Sequence, residues 1–446
     1  MSSVVIRGGS VVTPTEVIAA DIMIEDESIS AIGPYLSGAD NEIDASSLHI
    51  LPAVVDIHLH FNEPGRTEWE GAATGSKALA AGGGAFFADM PLNSTPCTVN
   101  ARELDLKRAA LERASITDFA LWGGLVPGNR TEMAELAAHG AIGFKAFMCD
   151  SGLPEFARAD DLTLYEALRE AASLDLPVAV HAESQEICAT LHARCREERR
   201  NGIRDFLSAR PVLAEVEAIT RATLLAGEAG AKLHIVHISS GRGVVAAAEA
   251  KRRGVNVSIE TCPHYLTFTE EDVERLGAIA KCAPPLRSHV DHSALWEMVL
   301  NGTVEIIASD HSPSPPEMKL GDFSSAWGGI AGVHSTLSAL LDRGYHQRGL
   351  PLERIASLTA QQPARRFGIP NKGEIKVGND ADLVLVDLAA SATLQEGDLF
   401  QRHRISPYVG LAFRGAIRRT IRRGETIYAD GKITARTHGR FIRPTK

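Results

Sequence analysis

Six positions carry residue types that can do chemistry, at spacings that invite reading them together. Asp56-Ile57-His58-Leu59-His60 follows the apolar run Leu51-Pro52-Ala53-Val54-Val55. In an extended strand successive side chains alternate faces, so His58 and His60 share one face and Leu59 takes the other. Two imidazoles at the end of an apolar strand can form half of a metal site. Further candidates end or interrupt later apolar runs: Lys145 in Phe144-Lys145-Ala146-Phe147, His181 in Val180-His181-Ala182-Glu183, His237 in Ile235-Val236-His237-Ile238, and Asp310 in Ile307-Ala308-Ser309-Asp310-His311. Taken singly, each histidine reads as a hydrogen-bonded buried residue and Asp310 as a helix cap. Lys145 resists that treatment, because a lone ammonium in a buried strand costs about several kcal/mol unless it is paired or chemically altered. His234 serves as a control: by strand alternation it falls on the side opposite His237.

The elements that must position these residues are legible as a pattern. Apolar runs at 53–56, 85–89, 118–122, 143–147, 178–181, 233–237, 255–259 and 304–308 alternate with Ala/Leu/Glu-rich segments such as 162–172, 211–229 and 241–252. Eight strands alternating with helices over roughly 250 residues is the count and size of a (β/α)8 TIM barrel. Chemistry in such barrels sits at the C-terminal ends of the strands, which is where His58, His60, Lys145, His181, His237 and Asp310 fall. Their joint placement favours a metal site over six separate coincidences. Residues 1–50 read as short β-rich runs at 4–6, 10–12, 22–25 and 28–32, and the same texture returns after Gly368. The expectation is an α/β chain with a small β-sandwich domain built from both termini. Its parts are 1–52 and 365–446, with the barrel at 53–364.

A formal charge of −10 over 446 residues disfavours nucleic acid and anionic membrane as partners. The basic pairs Arg199-Arg200 and Arg418-Arg419 are short enough to be solvated faces. Six cysteines lie scattered without a C-x-x-C pair, which argues against a zinc ribbon or disulfide framework and for a reducing compartment. The start, Met1-Ser2-Ser3-Val4-Val5-Ile6-Arg7, lacks the charged and apolar regions of a secretory leader, and no apolar run approaches the ~20 residues of a membrane span. A cytoplasmic location is expected.

The six residues and their strand positions resemble the amidohydrolase superfamily, in its cyclic-amidase branch. The stretch Lys372-Gly373-Glu374-Ile375-Lys376-Val377-Gly378-Asn379-Asp380-Ala381-Asp382-Leu383-Val384 is similar to that superfamily's return to its sandwich, so the resemblance spans essentially the whole chain. The resemblance implies two divalent metal ions per subunit. His58 and His60 would bind one with Asp310, His181 and His237 the other, and Lys145 would bridge both as an N6-carboxylysine. Zinc, manganese, cobalt and nickel all suit such ligands, zinc being the expected one. Asp310 would also move the proton from the attacking water to the leaving nitrogen.

Loop residues bear on which ring is opened. Asn62 stands two residues after His60, where dihydroorotases carry an arginine for the substrate carboxylate; losing such a pair costs on the order of 2–5 kcal/mol. Arg66 is the only nearby substitute. No tyrosine follows Lys145 in Ala146-Phe147-Met148-Cys149-Asp150, unlike the dihydropyrimidinases. What remains resembles the allantoinase family: 63–71, Met90-Pro91-Leu92-Asn93, Thr261-Cys262-Pro263-His264-Tyr265, the proline-studded loop 309–319, Ala326-Trp327-Gly328-Gly329-Ile330, and 404–410. This implies a small-molecule substrate, allantoin, opened to allantoate, and by the same likeness a homotetramer. Asn93, His264, Ala283 and Gly329 are the candidate substrate contacts. Ala283 departs from the serine that relatives commonly place before Pro284-Pro285, leaving backbone groups to read the ring. His311 and His334 are expected to be structural or to support the site from behind its ligands. A hydantoinase or dihydropyrimidinase, and a non-catalytic scaffold relative, remain as alternatives.

Overall fold

The computed structural model describes residues 3–445; Met1 and Ser2, the first residues of the stretch read for a leader, and Lys446 lie outside the described residues. Two sheets organise the chain. The first is a mixed sheet of nine strands from both termini: β1 (Ser3–Val12), β2 (Val17–Glu25), β3 (Ser28–Gly33), β4 (Asn41–Asp44) and β5 (His49–Pro52). The second contains eight parallel strands in sequential order: β6 (Val54–Leu59), β7 (Gly84–Asp89), β8 (Asp118–Gly124), β9 (Ala141–Phe147), β10 (Val178–His181), β11 (Leu233–Ile235), β12 (Val257–Thr261) and β13 (Ile306–Ile307). The chain then returns to the first sheet as β14 (Leu383–Thr393), β15 (Ala412–Arg422), β16 (Glu425–Ala429) and β17 (Lys432–Ile433), with β14 antiparallel to β5. The expected barrel and terminal β domain are both present.

The runs expected at 4–6 and 10–12 are one strand, β1, whose pairing with β2 shifts register between Ile6 and Gly9. The last barrel strand is shorter than its apolar run, only Ile306–Ile307, and pairs with β12 alone. Closure onto β6 comes from the loop beyond it. Asp310 N–H donates to His58 O at 2.9 Å, and His60 N–H to His311 O at 2.8 Å. Asp56 completes the seam, its Oδ1 accepting from the amides of His58 and Ser309, each at 3.2 Å. Burial pushes the Asp56 carboxyl up to about 6. The seam therefore fixes His58, His60 and Asp310 against one another through main chain.

Every residue of β6 to β8 and β10 to β12 is buried, as expected of a parallel sheet covered by helices outside and side chains within. The interior is filled by Val55, Ile57, Phe86, Trp122, Ile142 and Phe367, among others. Trp122 Nε1 donates to Ile57 O at 2.9 Å and its ring meets Phe367 edge-on. This packing plugs the barrel below the mouth, so the polar residues above stand on a rigid base. Among the described residues, no helix is long and apolar enough to cross a membrane.

Candidate metal centre

His58 and His60 do converge as alternation implied. Their rings lie 5.8 Å apart, and their Nε2 atoms sit 3.3 and 3.6 Å from Asp310 Oδ1. His237 joins from across the barrel, 5.4 Å from His58 and 4.6 Å from His181, centroid to centroid. Ligand atoms of His58, His237 and Asp310 all lie within 4.8 Å of one another. His181 ends β10 and stacks on Phe147 at 4.5 Å. Lys145 rises from β9 in the midst of them, 1% exposed, and its Nζ has no hydrogen-bond partner.

The electrostatics suit cation binding. Burial lowers the proton affinity of His60, His181 and His237, so these imidazoles stay neutral with a lone pair available. Burial also pulls Lys145 down to about 8. Asp310 goes the other way: burial opposes ionisation, but His58, His60 and His237 outweigh it and hold the carboxyl well below its ordinary range. His237 and Asp310 both adopt positive φ, 41° and 44°, where non-glycine residues are uncommon. Strain of that kind persists only where the surroundings enforce it.

Two carboxylates that sequence reasoning passed over support the centre, and one of them holds the His237 turn. Glu260, on β12, accepts from the His237 amide at 3.0 Å and lies 2.8 Å from His58 Nδ1 and 2.9 Å from His234 Nε2. Glu183 lies 2.7 Å from His181 Nε2 and pairs with Arg210. Burial raises the proton affinity of both, yet Arg210 and the His181 hydrogen bond at Glu183, and His58 and His234 at Glu260, outweigh it and bring each down to about 2. These contacts leave Nε2 of His58 and Nδ1 of His181 as the free ring nitrogens. Carboxylate-oriented histidines are the usual support of a metal site. His234 is no control: it shares Glu260 with His58, because the turn at His237 breaks the alternation that would have separated the two. Glu260 left only a weak signal in the sequence, an acid just past the run 255–259.

The centre floors a cavity of about 650 Å³, also lined by Asn93, Ala283 and Gly329. Asn93 Nδ2 reaches Ser312 Oγ at 3.4 Å. Gly329 has φ 140°, and a Cβ there would stand 2.2 Å from Ser312 O, so glycine is required at this wall. His264 is not on the cavity surface; it is buried beside Asp310, with both ring nitrogens lacking partners. Asn62 is buried and turned to Pro313 O at 3.3 Å, away from the cavity. Arg66 is committed to Glu155 at 2.6 Å and Asn93 O at 3.2 Å, so it supplies no cation for a substrate carboxylate. His311 is buried beneath the cavity, its Nδ1 accepting from the Gly332 amide at 3.2 Å.

The amidohydrolase family model matches residues 49–427. The chain belongs to the amidohydrolase family. An allantoinase of Solibacter usitatus is 64% identical over 445 residues, covering 100% of this chain and 97% of that protein. An allantoinase of Rubrobacter xylanophilus is 55% identical over 444 residues, covering 99% and 98%. Among solved structures, the L-hydantoinase (dihydropyrimidinase) from Arthrobacter aurescens superposes with a TM-score of 0.96 at 32% identity, covering 99% of this chain and 100% of that one. This kinship suggests a binuclear metal site, and the partnerless Lys145 Nζ among neutral imidazoles and an ionised Asp310 fits one.

Proposed function

We propose that this protein is a cyclic amidohydrolase that opens the hydantoin ring of allantoin to allantoate. The observation that carries this reading is the convergence of four histidines and Asp310 around a buried, unpaired Lys145, in a chain that matches allantoinases end to end. Hydantoinase and dihydropyrimidinase activity is the second reading, favoured by the solved neighbours.

His58 and His60 would hold one divalent ion with Asp310, and His181 and His237 the other. When bound, the two cations supply a water of low proton affinity and a polarised carbonyl. Zinc is the ion we favour. Burial keeps part of Lys145 as the neutral amine. That amine can add carbon dioxide and release a proton, giving the N6-carboxylysine that replaces an unpaired cation with an anionic ligand. Asp310 accepts the proton of the attacking water and delivers it to the departing ring nitrogen, since an amide nitrogen leaves only once protonated. Glu260 and Glu183 keep His58 and His181 in one tautomer. Asn93, Ala283 and Gly329 line the space for the ring, with Ala283 contributing backbone alone, and His264 lies buried beside Asp310. We take the chain to divide at 52/53 and 364/365 and to assemble as a cytoplasmic homotetramer.

The test is chelator-treated protein assayed with allantoin before and after addition of a divalent ion. Activity should vanish and return; full activity without metal would overturn the reading.

A further inference from the structure

One wall of the cavity is main chain rather than side chain. Ser324, Ser325, Ala326, Trp327, Gly328 and Gly329 all line it, in a stretch without helix or strand. Such a stretch has carbonyls that no ladder satisfies. Here two ammonium groups collect them. Lys281 Nζ donates to Phe323 O at 2.6 Å, Ser324 O at 3.1 Å and Ala326 O at 2.6 Å. Lys319 Nζ donates to Trp327 O at 2.9 Å and Gly329 O at 2.7 Å. Main-chain bonds complete the arrangement, Gly329 N–H to Lys281 O at 2.7 Å and Trp327 N–H to Met318 O at 2.8 Å. The rings of Phe206 and Phe323 flank the Lys281 ammonium at 4.7 and 5.1 Å.

Neither lysine forms an ion pair among the described residues. Burial lowers both, Lys281 to about 8 with Arg210 adding to the effect, and Lys319 to about 7 with Lys281 adding. Cations drawn out of water without carboxylates are costly, so a chain that keeps Lys281 buried in this wall and Lys319 half-buried behind it gains something a greasy wall lacks. All three hydrogens of the Lys281 ammonium are committed to carbonyls, so the group is not free to bind substrate.

We propose that Lys281 and Lys319 are positioning residues for substrate recognition, clamping 323–329 in the one shape whose backbone groups can read a neutral cyclic amide. The proposal rests on the function given above. A neutral ring is read by amide-type hydrogen bonds, and backbone readers are only as selective as the backbone is fixed. Loss of either clamp lets the wall move while the metal ligands stay in place.

The experiment uses metal-loaded full-length protein carrying Lys281→Met or Lys319→Met, each keeping the aliphatic stem. The expected result is a KM for allantoin raised roughly tenfold or more, with kcat changed less than about threefold and metal content retained; a 1 Å misplacement is enough for effects of that order. Hydrogen exchange should quicken at 323–329 and stay slow in β9 and β10. An unchanged KM, or a fall in kcat at constant KM, overturns the proposal. If Lys281→Met fails to fold, Lys319→Met alone decides. A wild type that leaves allantoin intact overturns the function instead, and the comparison then runs on whichever of hydantoin or dihydrouracil it opens.

Discussion

Glu260 serves three groups at once, the His58 ring, the His234 ring and the His237 amide. Replacing it by glutamine removes a charge while keeping the shape, and metal affinity should fall about 10–100-fold, as for other carboxylates behind ligating histidines. Titration of the apo-protein with zinc measures this, and unchanged affinity would refute the role. Lys145→Met keeps the buried stem and removes the nitrogen. It should leave the fold intact and lower kcat/KM roughly a thousandfold or more, the scale of losing several kcal/mol of transition-state stabilisation. The residues legible from sequence were those whose chemistry conflicts with an apolar strand, as Lys145 does, or that end one, as His181 does. Glu260 escaped because its meaning depends on His58, 202 residues away in the chain. His234 was misplaced because no pattern rule foresees a positive φ at His237.

The barrel strands were legible because both faces are buried and apolar runs of that length have few other uses. The edges of the pattern were not. Strand β4 is polar and largely exposed, so it carries no alternation to find. The C-terminal tail also gave no signal, although it docks on the start of β8. Phe119 N–H donates to Arg440 O at 2.9 Å, Ile442 N–H to Phe119 O at 2.7 Å, and the rings of Phe119 and Phe441 lie 5.7 Å apart. This contact sits at the end of the barrel opposite the cavity, where residues serve stability rather than chemistry. Phe441→Ala should cost on the order of 1–2 kcal/mol, the value of a half-buried aromatic ring. Denaturant unfolding reads that loss, and kcat/KM should not change; a change in KM would show that the tail reaches the site.

Barrel and terminal sheet are joined by a buried charge cluster. The Lys372 ammonium, fully enclosed, contacts Asp118 of β8 at 2.9 Å, Asp380 at 2.8 Å and Asp382 at 2.6 Å. These three carboxylates could pass for a metal site, but the ammonium already fills it. Lys372→Met would leave Asp380 and Asp382 without their cation and Asp118 with Arg423 Nε alone, at 3.3 Å, at a cost of about 3–5 kcal/mol. The carboxylates outweigh burial and raise the Lys372 pKa above its ordinary 10.5. Its stabilising effect is therefore complete below the unfolded lysine value and is lost as pH rises through the folded one. Melting temperature should hold from pH 7 to about 10 and then fall more steeply in wild type than in Lys372→Met; parallel curves would contradict this. What the assembled molecule does is decided by turnover on a panel. Metal-replete protein is assayed with allantoin, hydantoin, dihydrouracil and dihydroorotate, and kcat/KM is compared. The highest value should belong to allantoin, with allantoate as product; a higher value for any of the other three would contradict it.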